Sequence, residues 1–169
     1  MRSWLRYVPY GVLGLIIAAA AAAACWMHYR QPQEMAEEQQ MVKKAESWRI
    51  SIDETELDLL ARVVHAEAKG EPYEGKVAVA AVIINRVQHP AFPNTISGVV
   101  YEPLAFQVVA NGTINQPADA EAVQAAHDAL AGFDPTGGAL YFYNPAKTAN
   151  AWIRSRPATK TIGKHVFAT

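Results

Sequence analysis

The run VAVAAVII, from Val77 to Ile84, is apolar on every side of a helix. A helix without a polar stripe is stable only where other elements enclose it, so the fold has to be built around this segment. The residues just ahead of it supply one cover. Leu57, Leu60, Ala61, Val64 and Ala68 recur at helical spacing after Ser51 and Glu54, which stand three apart as in a capping box, and Gly70 with Pro72 ends the segment. Asp58, Arg62 and Lys69 fall on the opposite, solvated face, whereas Glu67 points between the directions of Leu60 and Val63. A carboxylate in the last turn of a helix, beside a buried helix and with no cation fixed near it in its own segment, is partly desolvated, which raises its pKa and suits it to be a general acid. The same spacing also admits a plain exposed Glu at a helix end.

The rest of the chain reads as one folded domain, residues 53–169, of a mostly helical α+β class. HPAFPNTISG is a loop, ISGVVYE a short apolar turn or helix, and AFQVVANGTINQ alternates loosely around Asn-Gly, which predicts a hairpin. Pro117 opens a third helix that runs to Gly132, with Ala122, Ala125, Ala126 and Leu130 as its apolar stripe. ALYFY is a short aromatic strand with Leu140 and Phe142 on one face and Tyr141 and Tyr143 on the other. The remainder is loop, closing on an extended HVF.

No residue from Tyr7 to Met27 is charged, and Arg2 and Arg6 precede that run. Its length suits a bilayer-spanning helix with a cytoplasmic N-terminus, so residues 1–29 are expected to anchor the chain in a membrane with the domain outside. A cleaved signal peptide and a lipoprotein signal acylated at Cys25 are the alternatives. Residues 30–52, polar and of mixed charge, read as a partly helical tether.

Several chemistries lack a foothold. The formal net charge is -1 and no block of Lys and Arg stands out, which disfavours a nucleic-acid partner. No Gly-rich phosphate loop, Walker pattern or nucleophile elbow is present, so nucleotide chemistry and serine-type ester hydrolysis are not expected. Cys25 is the only cysteine and the five histidines are scattered, so neither a metal nor another cofactor is expected. His65 and Glu67, two apart on a helix, point roughly 200° apart and do not share a metal. Glycan cleavage remains, and it ordinarily takes two carboxylates. Glu71, Glu74, Asp119 and Asp134 are candidates for the second, but each is better explained by a helix start or a turn.

The blocks ARVVHAEAKGEPYEGKVAVAAVIINRV, AFQVVANGTIN, ALYFYNP and WIRSRPATKTIGKHVF, in this order, resemble the catalytic domain of the spore cortex-lytic enzyme family of bacterial cell wall hydrolases. The resemblance implies a lysozyme-like domain acting on the glycan strands of peptidoglycan, with Glu67 as the catalytic acid. It further implies the reaction of lytic transglycosylases, in which one Glu serves as acid and then as base and a second carboxylate is not required. Hydrolysis of the lysozyme type, or a non-catalytic wall-binding module, are the rival readings. Aromatic faces and planar polar groups suit sugars, and the matching blocks put forward Phe106, Gln107, Tyr143, Asn144, Trp152 and Arg156 as substrate-binding residues. No glycan-binding repeat precedes the catalytic part in this sequence, which leaves spore cortex and vegetative wall both open as targets.

Overall fold

The computed structural model describes residues 48–169 and, ahead of them, residues 26–27, 29–36, 38–40 and 42–43. The chain divides into two units, Met1–Glu46 and Ser47–Thr169. In the first, the described residues are helical and exposed. No helix among the described residues is long and apolar enough to cross a membrane, and the run expected to do so, apart from Trp26 and Met27, lies outside them.

The second unit is assembled around the all-apolar helix. Helix α1 spans Glu54–Glu67, α2 Tyr73–Gln88, α3 Ile96–Val100, α4 Gln107–Ala110 and α5 Ala120–Leu130; a single helical turn, α6, spans Ala151–Arg154. Every residue of α2 from Gly75 to Arg86 is buried. Helix α1 lays Leu60, Val63 and Val64 against it, and α5 packs on both with Leu130 and with Ala122, Ala125, Ala126 and Ala129, whose small side chains let the helices approach closely. Strands β1 (Tyr141–Tyr143), β2 (Ala158–Ile162) and β3 (His165–Ala168) form an antiparallel sheet in the order β1-β3-β2, with Phe142 opposite Phe167. Phe167 is fully buried and joins the sheet to the helical core.

Several boundaries differ from those read in the sequence, each for a local reason. Helix α1 is capped by Asp53, not Ser51; the Asp53 carboxylate accepts from the Glu56 N–H at 2.8 Å. Asp119 likewise caps α5, accepting from the Ala122 N–H at 2.7 Å, so that helix starts three residues after Pro117. The expected hairpin around Asn111-Gly112 is instead α4 followed by a 3-10 turn, Thr113–Asn115. There the Asn111 side chain accepts from the Thr113 N–H and hydroxyl at 3.0 and 2.7 Å, which turns the chain locally. Phe106 and Val108 are both buried and two apart, and this imitates strand alternation. Strand β2 has no apolar alternation to announce it, because all its residues but Ile162 are exposed. The packed unit also takes in Trp48, Arg49 and Ile50, assigned above to the tether: both apolar side chains lie against the core, and Arg49 donates to the Asn85 and Gln88 side chains at 2.7 and 2.6 Å.

The α1–α2 turn is tied to the β2–β3 hairpin through one carboxylate. Glu71 accepts from the Lys164 N–H at 2.8 Å, and Gly163, at φ 58°, sits against it. A Cβ at Gly163 would overlap the Glu71 carboxylate and come within 2.8 Å of Pro72 Cδ, besides being strained at that φ. We expect Gly163→Ala to destabilise the domain by about 1–3 kcal/mol, measured as a lower midpoint in denaturant unfolding.

Candidate active site

Glu67 is the last residue of α1. The packing of Leu60, Val63 and Val64 on α2 fixes the rotation of the helix and turns Glu67 toward the start of α4. That short helix has no side-chain cap, and the Glu67 carboxylate accepts the Val108 backbone N–H. Burial pushes the Glu67 carboxyl above its ordinary value, and this outweighs the opposing pull of the Val108 N–H and of the Lys147 charge. The residue is half-buried, at the wall of an open cleft of about 690 Å³, a size suited to a sugar or two.

Five of the seven residues put forward from the sequence line this cleft together: Glu67 on α1, Phe106 and Gln107 at the start of α4, and Tyr143 and Asn144 at the end of β1. Trp152 and Arg156 do not line it. They form a separate stack in which the Arg156 guanidinium lies 4.4 Å from the Trp152 ring centre and 5.0 Å from that of Tyr141. The reason lies in β1. Its Tyr141 lies beside Trp152, at 5.3 Å edge-to-face, whereas Tyr143, two residues on, lines the cleft. Phe142, expected in the core alone, reaches the cleft, resting against Phe106 and His165.

Of the cleft residues that the sequence did not put forward as part of a site, four carry cations or imidazoles of note. Arg86, on α2, is buried; its Nε donates to the Leu140 carbonyl at 2.7 Å and its guanidinium lies over the Phe92, Phe106 and Tyr141 rings. Lys147 stands on the exposed turn after β1. His165, on β3, is buried with Nδ1 lacking a partner, and desolvation lowers its pKa. His65 lines the cleft with Nδ1 3.2 Å from an Asp119 oxygen. In the sequence these are a cation on a buried helix, a loop lysine and two scattered histidines, and only the packing of α1, α2, β3 and the turn after β1 brings them together.

Glu67 is the only carboxylate among the residues that line the cleft. The others considered are engaged elsewhere: Glu71 in the turn described above, Glu74 with Lys160 at 3.1 Å, Asp119 in the α5 cap, and Asp134 with Asn85, Thr136 and Gly138. No cluster of metal-ligating side chains occurs among the described residues.

Fold and cleft define a small, helix-rich α+β domain that presents one desolvated acid to a polar, sugar-sized groove. The Cell Wall Hydrolase family matches residues 70–168, and the chain belongs to that family. The matched span begins three residues after Glu67. The spore cortex-lytic enzyme of Halalkalibacterium halodurans is 49% identical over 126 residues, covering 75% of this chain and 38% of that one. Its namesake from Bacillus subtilis is 51% identical over 112 residues, 66% of this chain and 37% of that one. The chain thus spans less than half the length of these relatives. Among solved structures, the catalytic domain of the Bacillus cereus SleB protein is similar, with a TM-score of 0.68 and 47% identity over 73% of this chain and 96% of that one. The Bacillus anthracis SleB catalytic domain, described as a germination-specific lytic transglycosylase, matches with a TM-score of 0.67 and 48% identity over 70% of this chain and 97% of that one.

The raised Glu67 pKa carries a sign for stability. In the unfolded chain the carboxyl titrates near 4.5 and in the fold above it, so the folded state is favoured fully below the unfolded value and loses that contribution as pH rises through the folded one. Glu67→Gln keeps the acceptor for Val108 and never ionises. Its thermal midpoint is expected above wild type at pH about 7, with the difference closing below pH about 4.

Proposed function

We propose that the domain cleaves the glycan strands of peptidoglycan as a lytic transglycosylase, with Glu67 as acid and then base in a lysozyme-like groove. The observation that carries this reading is the solitary, partly desolvated Glu67 carboxyl in a cleft of sugar size. In its protonated form Glu67 gives its proton to the glycosidic oxygen as the bond from that oxygen to the muramyl C1 breaks. The carboxylate left behind then takes the proton from the C6 hydroxyl of the same sugar, and that oxygen closes on C1 to form a 1,6-anhydro ring. No water is consumed and Glu67 ends protonated, ready for another cycle. Phe106 and Tyr143 supply ring faces, and Gln107 and Asn144 supply planar hydrogen-bonding groups for the sugars on either side. The names of the relatives, spore cortex-lytic enzymes and a lytic transglycosylase, support the same substrate class.

One observation favours hydrolysis as a second reading. His65 at the cleft wall is held by Asp119 at 3.2 Å, an arrangement able to orient an imidazole toward a water. Product chemistry separates the two. Transglycosylation releases fragments ending in 1,6-anhydromuramic acid, whereas hydrolysis releases reducing ends carrying oxygen from labelled water, read by mass spectrometry. In either case Glu67→Gln is expected to lower turnover by about 10²-fold or more while remaining folded. A folded variant retaining above roughly a tenth of wild-type turnover removes Glu67 from the acid's role.

We further infer that the domain works outside the cytoplasmic membrane, held by a single helix within Tyr7–Met27. The uncharged run and the two preceding arginines support this. Recovery of the full-length protein with membranes is expected on fractionation. A soluble form shortened near Ala24 points to signal cleavage instead, and a lipid on Cys25 to a lipoprotein.

A further inference from the structure

The cleft of about 690 Å³ takes a sugar or two, but the glycan proposed to enter it is a polymer, so the strand has to continue past the cleft over the protein surface. Trp152 stands outside the cleft and is 54% exposed. A lone exposed ring is ordinary on a protein surface. Trp152 is not alone. The Arg156 guanidinium lies over its ring, 4.4 Å from the centre, and Tyr141 meets it edge-to-face at 5.3 Å. The Arg156 Nε is buried without a hydrogen-bond partner, and its Nη2 reaches the Tyr141 hydroxyl only at 3.5 Å. Hydrogen bonding therefore does not account for where this guanidinium sits. Stacking on the two rings does, and it leaves Arg156 as the backing of an exposed tryptophan.

The backbone beneath the ring is fastened to the cleft wall. The Asn150 side chain caps α6 by accepting the Trp152 and Ile153 N–H groups at 3.0 and 3.4 Å. Arg154, on the same turn, donates to the Pro145 and Thr148 carbonyls at 3.2 Å each. Those carbonyls belong to the turn whose Asn144, Lys147 and Thr148 line the cleft. A second path runs through side chains: contacts of 5.4, 5.5 and 5.3 Å lead from the Phe106 ring in the cleft, by way of the Arg86 guanidinium and the Tyr141 ring, to Trp152. The stack and the cleft wall thus hold a fixed spacing.

We propose that Trp152, backed by Arg156 and Tyr141, is an outlying subsite that stacks on a sugar ring of the same glycan strand beyond those held in the cleft, so that the domain favours long strands over fragments that only fill the cleft. Sugar rings present faces of C–H groups, and these pack on an aromatic face whatever substituents the sugar carries. A ring already held by two neighbours loses little freedom when a ligand stacks on it, so the contact adds to affinity. The proposal rests on the peptidoglycan reading above and deepens it. Because Trp152 does not reach the cleft that holds Glu67, its contact acts on the binding of the strand and is read in KM.

The test uses the purified full chain on soluble, uncross-linked glycan strands sorted by length, comparing long strands with fragments of cleft length. Wild type is expected to show a kcat/KM about tenfold or more higher on the long strands, chiefly through KM. In Trp152→Ala this ratio falls toward one, Trp152→Phe restores part of it, and Arg156→Gln, which frees the ring, gives an intermediate ratio. A wild-type ratio near one, or a ratio unchanged in Trp152→Ala, overturns the subsite. Binding of the two length classes by Glu67→Gln, with and without Trp152→Ala, reads the same preference without cleavage, so failure of the subsite is distinguishable from failure of the proposed reaction. A Trp152→Ala defect confined to intact, cross-linked wall would place the contact on a neighbouring strand. Lost self-association with an unchanged length preference would assign the surface to a second copy of the chain. Either of these outcomes also overturns the proposal.

Discussion

Enclosure of α2 is the constraint on which the rest of this structure depends. A helix buried from Gly75 to Arg86 needs cover on all sides, and the other elements are explained by supplying it: α1 and α5 along its flanks, α3 against it, and the three-stranded sheet, which meets it through β1 and β2. The position of Glu67 is a by-product of this arrangement. Because α1 is a cover, the residue one turn beyond its buried Val63 and Val64 emerges at the rim of the packed interface, neither fully wet nor fully dry. That is where a carboxyl acquires a raised pKa while staying accessible to a ligand.

Two neighbouring helices were legible in the sequence because their signals are local: a stripe at helical spacing, an all-apolar run, and a Gly and Pro between them. The desolvation of Glu67 followed from the same geometry. The Asn-Gly hairpin failed because an Asx turn and two buried residues imitate a strand pattern in a segment that is in fact helical. Strand β2 failed because an edge strand with exposed Thr159, Lys160 and Thr161 carries no alternation; only pairing with β3 defines it.

The site was legible to the extent that its residues sit in recognisable blocks. Glu67, Phe106, Gln107, Tyr143 and Asn144 converge, although they come from three separate elements and the turn after β1. Trp152 and Arg156 come from the closing block and face another way, since which side of β1 a neighbour occupies is set by the sheet and not by sequence distance. Arg86 could not have been read as a site residue, because within an apolar run its charge looks like the solvated end of a helix. Its guanidinium is covered by the rings of Phe92, six residues on, and of Phe106 and Tyr141, which are 20 and 55 residues on.

The account turns on one property, a Glu67 carboxyl that holds its proton more tightly than an ordinary Glu because it is partly removed from water. NMR titration of the isotopically labelled Glu67 side-chain carboxyl in the folded protein measures this directly. The account predicts a midpoint above the ordinary 4.5. A midpoint at or below that value would show that the Val108 N–H and Lys147 outweigh burial, and would contradict Glu67 as a residue poised to donate a proton.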